Sequence, residues 1–253
     1  MRITHVCILL CFFTAMAWAQ EANPGRPTVA TPATLTPVGY LQFETGVLGA
    51  ENSPGLSSQT SFNEVMKFSV TPRFEFLLQS LPFAHTDLGN SQTNDPGDVS
   101  LGLQTVLLPG TKKRPTISVS YFRRVYAGTA PDLDIGSDRQ SALFLLSTDV
   151  AGFHIDANAI FNEQIQNATH RAQFGQTLSI SHGLPHNFGL DGELWHFTQP
   201  FLNGNAAALL FAPTYTPRPN LVFDAGFNRG LTTTSTRWEF FVGFTYLLPK
   251  KLL

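Results

Sequence analysis

Arg237-Trp-Glu-Phe-Phe-Val-Gly-Phe-Thr-Tyr-Leu-Leu248 puts Trp238, Phe240, Val242, Phe244, Tyr246 and Leu248 on one side of an extended chain. Arg237, Glu239 and Thr245 fall on the other. Side chains of a strand alternate between faces with a period of two, so the stretch is a strand with one apolar and one polar face. Phe153-His-Ile-Asp-Ala-Asn-Ala-Ile-Phe-Asn-Glu-Gln164 repeats the pattern. Phe153, Ile155, Ala157, Ala159 and Phe161 oppose His154, Asp156, Asn158 and Asn162.

Extending the reading outward gives twelve candidate strands, at 38–48, 61–70, 73–81, 97–108, 116–126, 137–150, 153–164, 170–181, 188–197, 205–215, 220–228 and 237–248. The 205–215 segment is apolar on both faces and has the weakest pattern. Short links fall at Thr71-Pro72, Ala151-Gly152, 183–187 and 216–220, and longer polar links at 50–60, 83–96, 127–136 and 230–236. Transmembrane barrels have short turns at one rim and longer loops at the other. The polar faces carry many charges, which would leave a soluble core full of unpaired ions. With apolar faces outward toward lipid, those charges line a lumen. The fold class that follows is all-β: one antiparallel up-and-down transmembrane β-barrel of about twelve strands, over residues 38–248. An even strand count brings both termini to the same side.

The lumen-lining candidates are Glu44, Lys67, Arg73, Glu75, Asp98, Arg124, Arg139, Asp156, Arg171, Asp191, Glu193, Asp224, Arg237 and Glu239. Rings of charge tune permeation through a pore. The same residues could instead pair into a plug that stiffens a closed barrel, and the sequence leaves both open. Tyr40, Tyr121, Tyr126, Tyr215, Tyr246, Trp195 and Trp238 are placed for the aromatic girdles of a membrane interface.

Composition agrees with a lipid-facing wall. Charged residues are only 13% of the chain, and there are 22 Phe. Arg2, the apolar run from Val6 to Ala17 and the Ala17-Trp-Ala19 site form a secretory signal, so the mature chain is expected to start near Gln20. Both cysteines, Cys7 and Cys11, lie inside that signal, which leaves the mature chain without thiols or disulfides. Residues 20–37 are Pro- and Thr-rich without periodicity. They are expected to form an extended leader, favoured as a mobile periplasmic tail over a segment entering the lumen. A short tail, 249–253, follows the barrel.

A net charge of -2 gives no basis for nucleic-acid binding. No phosphate loop or hydrolase motif is present, and no cofactor is expected. His182 and His186 flank a turn, where four-residue spacing does not bring two side chains onto one metal. Ser181 and His182 are adjacent on a strand and point to opposite faces, so they cannot act as a nucleophile and its base. No catalytic or metal residues are assigned.

Several stretches resemble the outer-membrane proteins grouped as the MetA-pathway-of-phenol-degradation or "transporter" family. They are Asn23-Pro-Gly-Arg-Pro27 with Leu35-Thr-Pro-Val-Gly-Tyr-Leu-Gln-Phe-Glu-Thr-Gly46, then Val65-Met-Lys-Phe-Ser-Val-Thr-Pro-Arg-Phe-Glu-Phe76, Gly97-Asp-Val-Ser-Leu-Gly-Leu103 and Asn220-Leu-Val-Phe-Asp-Ala-Gly-Phe227 with the strand 238–246. The resemblance implies a porin-like barrel in the Gram-negative outer membrane that passes small, often hydrophobic compounds. Its expected partners are outer-membrane lipid, the barrel-assembly machinery and an unidentified small solute. The alternative function is a closed barrel that binds through its loops. One departure is the chain end, where Pro249-Lys-Lys-Leu-Leu253 follows the aromatic strand in place of a terminal aromatic residue.

Overall fold

The computed structural model describes residues 20–135 and 138–253, so the signal read at 1–19 and its cysteines lie outside the described residues. The strands are β1 (Leu41–Ser53), β2 (Leu56–Thr71), β3 (Phe74–Asp87), β4 (Gln92–Asp95), β5 (Val99–Leu108), β6 (Thr116–Tyr126) and β7 (Asp138–Val150). They continue as β8 (Phe153–Gln166), β9 (Thr169–Gly183), β10 (Phe188–Gln199), β11 (Gly204–Arg218), β12 (Leu221–Gly230) and β13 (Trp238–Leu247). Twelve pair antiparallel in chain order, and β1 closes on β13 from Gln42↔Leu247 to Glu51↔Trp238. The extra strand, β4, is a short hairpin on the end of β3.

Closure satisfies the backbone of every wall strand, which is what lets strands cross lipid. Among the described residues no helix is long and apolar enough to cross a membrane. Both ends of the described residues lie at one rim, here termed proximal, where Ala22 N–H donates to Pro219 O and Leu248 N–H to Leu41 O.

The distal rim differs from the expected loops. Residues 50–60 are mostly strand, with β1 and β2 meeting at Pro54-Gly55, where Gly55 has φ 87°. Asn167 and Ala168, both at positive φ, likewise join β8 to β9 in a two-residue turn. Most of 83–96 is strand as well, carried by β3 and β4. Polar sequence looked like loop here, but beyond the membrane a hairpin can have two polar faces. Of the long links, 127–135 and 231–237 remain loops.

Phe76, Phe144, Phe161, Leu178, Leu209 and Phe240 are among many exposed apolar residues on the outer face, with Phe76 56% and Phe144 54% accessible. A continuous belt of this kind is what lipid covers.

The lumen is not wholly polar. Leu77, Phe122, Leu143, Leu145, Ile160, Trp195, Phe197, Ala206 and Ala208 form one buried cluster. On β10 the buried positions Glu193, Trp195, Phe197 and Gln199 share one parity, so the same face turns from carboxylate to aromatic along the strand. Trp195 is therefore not a girdle residue: it is buried against Phe197, with ring centroids 5.8 Å apart. A Cβ on Gly175 would lie 2.2 Å from Phe197, so only glycine leaves room for that ring.

Candidate functional site

The lumen holds the leader. Residues 20–37 enter at the proximal rim, turn at mid-height and return to start β1, forming a strap across the bore. Ala22 N–H donates to Pro219 O at 2.8 Å. Asn23 and Gln42 exchange two bonds, Asn23 N to Gln42 Oε1 at 2.9 Å and Gln42 Nε2 to Asn23 O at 2.7 Å.

The strap has no regular structure, so its backbone groups must find side-chain partners. Glu44 accepts from Gly25 N–H at 3.0 Å and Arg26 N–H at 3.2 Å, and pairs with Lys67 Nζ at 2.5 Å. Glu193 takes Val29 and Ala30 N–H, one on each oxygen, both at 2.7 Å. Thr31 and Asn158 exchange bonds of 2.6 and 3.0 Å. Ala33 N–H donates to Ser147 Oγ at 2.7 Å, and Gln104 Nε2 donates to Pro32 O at 3.0 Å. Thr36 N–H donates to Glu75 Oε1 at 2.8 Å. Arg26 grips Asp224 with two bonds, Nε–Oδ2 3.1 Å and Nη2–Oδ1 2.9 Å. Its guanidinium fits a slot at the seam, where Gly46 pairs with Gly243; a Cβ on either would come within 2.6 Å of it.

The strap separates two chambers. The proximal one, about 350 Å³, is lined by Thr28, Pro32, His154, Asp156 and Asp191 among others. The distal one, about 450 Å³, is lined by Val29, Asp98, Asp132, Asp134 and Glu239 among others. Both are acidic, and the apolar cluster around Trp195 and Phe197 lies against the strap at Ala33 and Val29.

A second segment covers the distal mouth. Residues 127–135 fold inward as a lid: Gly128 N–H donates to Asp98 Oδ1 at 2.8 Å, Thr129 N–H to Pro96 O at 2.9 Å and Gln59 Nε2 to Pro131 O at 2.8 Å. The Asp134 carboxylate accepts Thr236 N–H at 2.7 and 2.9 Å and Thr236 Oγ1–H at 3.1 Å, while Gln199 Nε2 donates to its carbonyl at 2.5 Å. Burial pushes the Asp134 carboxyl up to about 6, against the lowering effect of the Thr236 bonds. The closed lid thus holds the proton better than an open one. Its contribution is complete below the ordinary carboxylate value near 3.8 and is lost as pH rises through about 6. The difference is worth at most about 3 kcal/mol. Amide protection at Gly128 and Thr129, corrected for intrinsic exchange, is expected to fall between about pH 5 and 7.5. Asp134→Ala should leave it low throughout; a pH-independent wild type would refute the latch.

The sequence candidates divide by position. Glu44, Lys67, Glu75, Glu193 and Asp224 hold the strap or pair beside it. Asp156 and Asp191 line the proximal chamber, and His154 Nε2 lies 3.3 Å from Asp156. Asp98 pairs with Arg124 at 2.9 Å, and Asn228 Nδ2 donates to Glu239 at 2.7 Å. The other four are corrections. Arg73 is exposed in the proximal β2–β3 turn. Arg139, Arg171 and Arg237 are exposed near the distal rim, where an inward parity no longer means a lumenal side chain. Reasoning from sequence missed Arg26, Asn158, Gln104, Ser147 and Asp134. The available signal was the surplus of inward carboxylates over cations, which calls for donors from elsewhere.

His182 Nδ1 bonds Gly152 O at 2.9 Å and its ring packs on Phe153, while His186 sits in the three-residue turn Pro185–Asn187. Among the described residues no His, Asp or Glu cluster is suited to a metal.

In sequence, no family profile and no curated protein matches the chain. In structure it is similar to solved outer-membrane barrels. The COG4313 outer membrane channel from Pseudomonas putida F1 superposes with a TM-score of 0.61 at 13% identity, over 90% of this chain and 100% of that one. The NanC porin gives 0.56 at 9% identity, over 81% of this chain and 100% of that one. At such identities the likeness establishes a closed antiparallel barrel of the outer-membrane kind.

Proposed function

We propose that this barrel is a porin-like channel of the bacterial outer membrane, closed at rest, that passes small solutes between two acidic chambers. The proximal rim faces the periplasm and the distal rim the outside, as short turns and termini do in such barrels. The observation that carries the reading is the strap: one segment, held by side-chain bonds, with a chamber on either side. A barrel of twelve strands lies between those filled by their own side chains and the wide porins, so removing one segment can open it. The family resemblance and the barrel-wide similarity to channels support the same class.

Acidic chambers favour neutral and cationic solutes over anions. The apolar cluster between them suits solutes with an aromatic or aliphatic body, in keeping with the resemblance. A second reading, a permanently closed binding barrel, draws on the number of bonds that hold the strap.

Conductance in planar bilayers separates the two. The mature chain should conduct, with cations preferred. The variant Ala33→Cys/Ser147→Cys puts thiols on two residues already in contact, Ala33 N–H donating to Ser147 Oγ at 2.7 Å. Oxidised, it should be silent; reduced, it should conduct like wild type. Equal currents in both forms would remove the strap as the gate, and silence of the wild type in bilayers and liposome flux alike would favour the closed barrel.

A further inference from the structure

On the outside of the wall, β6 to β9 enclose a depression of about 500 Å³ toward the distal rim. Register explains it. Ala142 pairs with Tyr121 on one side and Phe161 on the other, so a methyl group sits between two rings. Ala172 continues this small-residue floor. One rung nearer the rim, Arg123 lies opposite Gln140 and Glu163 opposite Ala172. Tyr121 Oη donates to Gln140 Oε1 at 2.9 Å, and His170 Nδ1 lies 2.7 Å from Glu163 Oε1. Arg171 borders the depression, its guanidinium 5.0 Å from the centre of the Phe201 ring. The slot is therefore apolar toward the belt and polar toward the rim, the same order as a lipid in its leaflet.

The charge is also specific. The described wall cations exposed toward the distal rim are Arg123, Arg139, Arg171 and Arg237, with Arg229 partly exposed; the exposed lysines Lys112, Lys113, Lys250 and Lys251 all lie at the proximal rim. Guanidinium binds phosphate through two parallel N–H···O bonds, a fit that ammonium cannot copy.

We infer that this depression binds a phosphorylated amphiphile of the outer leaflet, with an acyl chain over Ala142 and Ala172 and its phosphate at Arg123 and Arg171. The inference rests on the membrane orientation proposed above and not on conduction. The purified mature protein in detergent is offered diphosphorylated lipid A or the same lipid without phosphates, and retained lipid is read by native mass spectrometry. Wild type should retain the phosphorylated form selectively. Arg123→Gln/Arg171→Gln should weaken retention by about tenfold or more. Ala142→Leu, which fills the slot without changing charge, should do the same. Equal retention of the dephosphorylated lipid, or retention unchanged in both variants, would overturn the site. Conductance of the two variants should match wild type, because the depression is outside the lumen. Lost lipid selectivity with normal currents defeats only this inference, and silent barrels that still select the lipid defeat only the channel.

Discussion

A mature chain without residues 20–34 conducts as a steady open pore, several times the wild-type step, in a barrel of this strand number. The expectation follows from what the strap occupies. Its tip separates the two chambers, and its backbone covers Glu44 and Glu193. Without it both carboxylates face water and the bore becomes more acidic, so cation preference should rise with conductance. Wall pairing lies entirely outside the deleted segment, so the barrel should still close, as checked by its heat-modifiable migration on gels. Wild-type conductance from a correctly folded deletion would show that the solute path avoids the strap.

Arg26→Ala should release the strap without unfolding the wall. Asp224 is 2% exposed in its side chain and pairs with Arg26 through both carboxylate oxygens. Removing one partner of a buried pair costs about 3–5 kcal/mol, because the other charge is left bare. Here the cost has an outlet: the strap can leave and let water reach Asp224. The penalty therefore shifts the strap equilibrium and not the barrel's. Amide protection at Val29, Ala30 and Ala33 should drop by at least about a hundredfold on that energy scale, while the β8–β9 ladder keeps its protection. Arg26→Lys should restore part of it, since Lys keeps the charge but not the two-bond grip. Unchanged protection in Arg26→Ala would assign the strap's hold to its backbone bonds alone.

The wall was legible in the sequence because a period of two survives any change in what a face touches. Trp238 to Leu248 and Phe153 to Gln164 read correctly for that reason. The interior was legible only in part. Ala142-Leu-Phe-Leu-Leu146 is apolar on both parities, and that doubling marked a depth where apolar side chains pack against the strap. It was obscured by treating each face as uniform along its length. Arg139, Arg171 and Arg237 failed through height: alternation gives direction and says nothing about where the wall ends. The strap was hidden because Pro- and Thr-rich composition reports a lack of regular structure, which is true of it, and not whether its amides find partners elsewhere. Glu44, Glu75 and Glu193 were the missing acceptors, already named but assigned to one another's company.

The order of assembly is written into the strap's partners. Its bonds reach Glu44, Glu75, Gln104, Ser147, Asn158, Glu193 and Asp224, on β1, β3, β5, β7, β8, β10 and β12. No subset of neighbouring strands offers that set, so the segment that precedes every strand can dock only when the ring is nearly complete. Contacts up to 198 residues apart form late, after the loops between them have closed. Biogenesis then has two separable events, closing the wall and sealing the bore. Between them lies a leaky barrel, and the time spent there is exposure that a cell building this protein must tolerate.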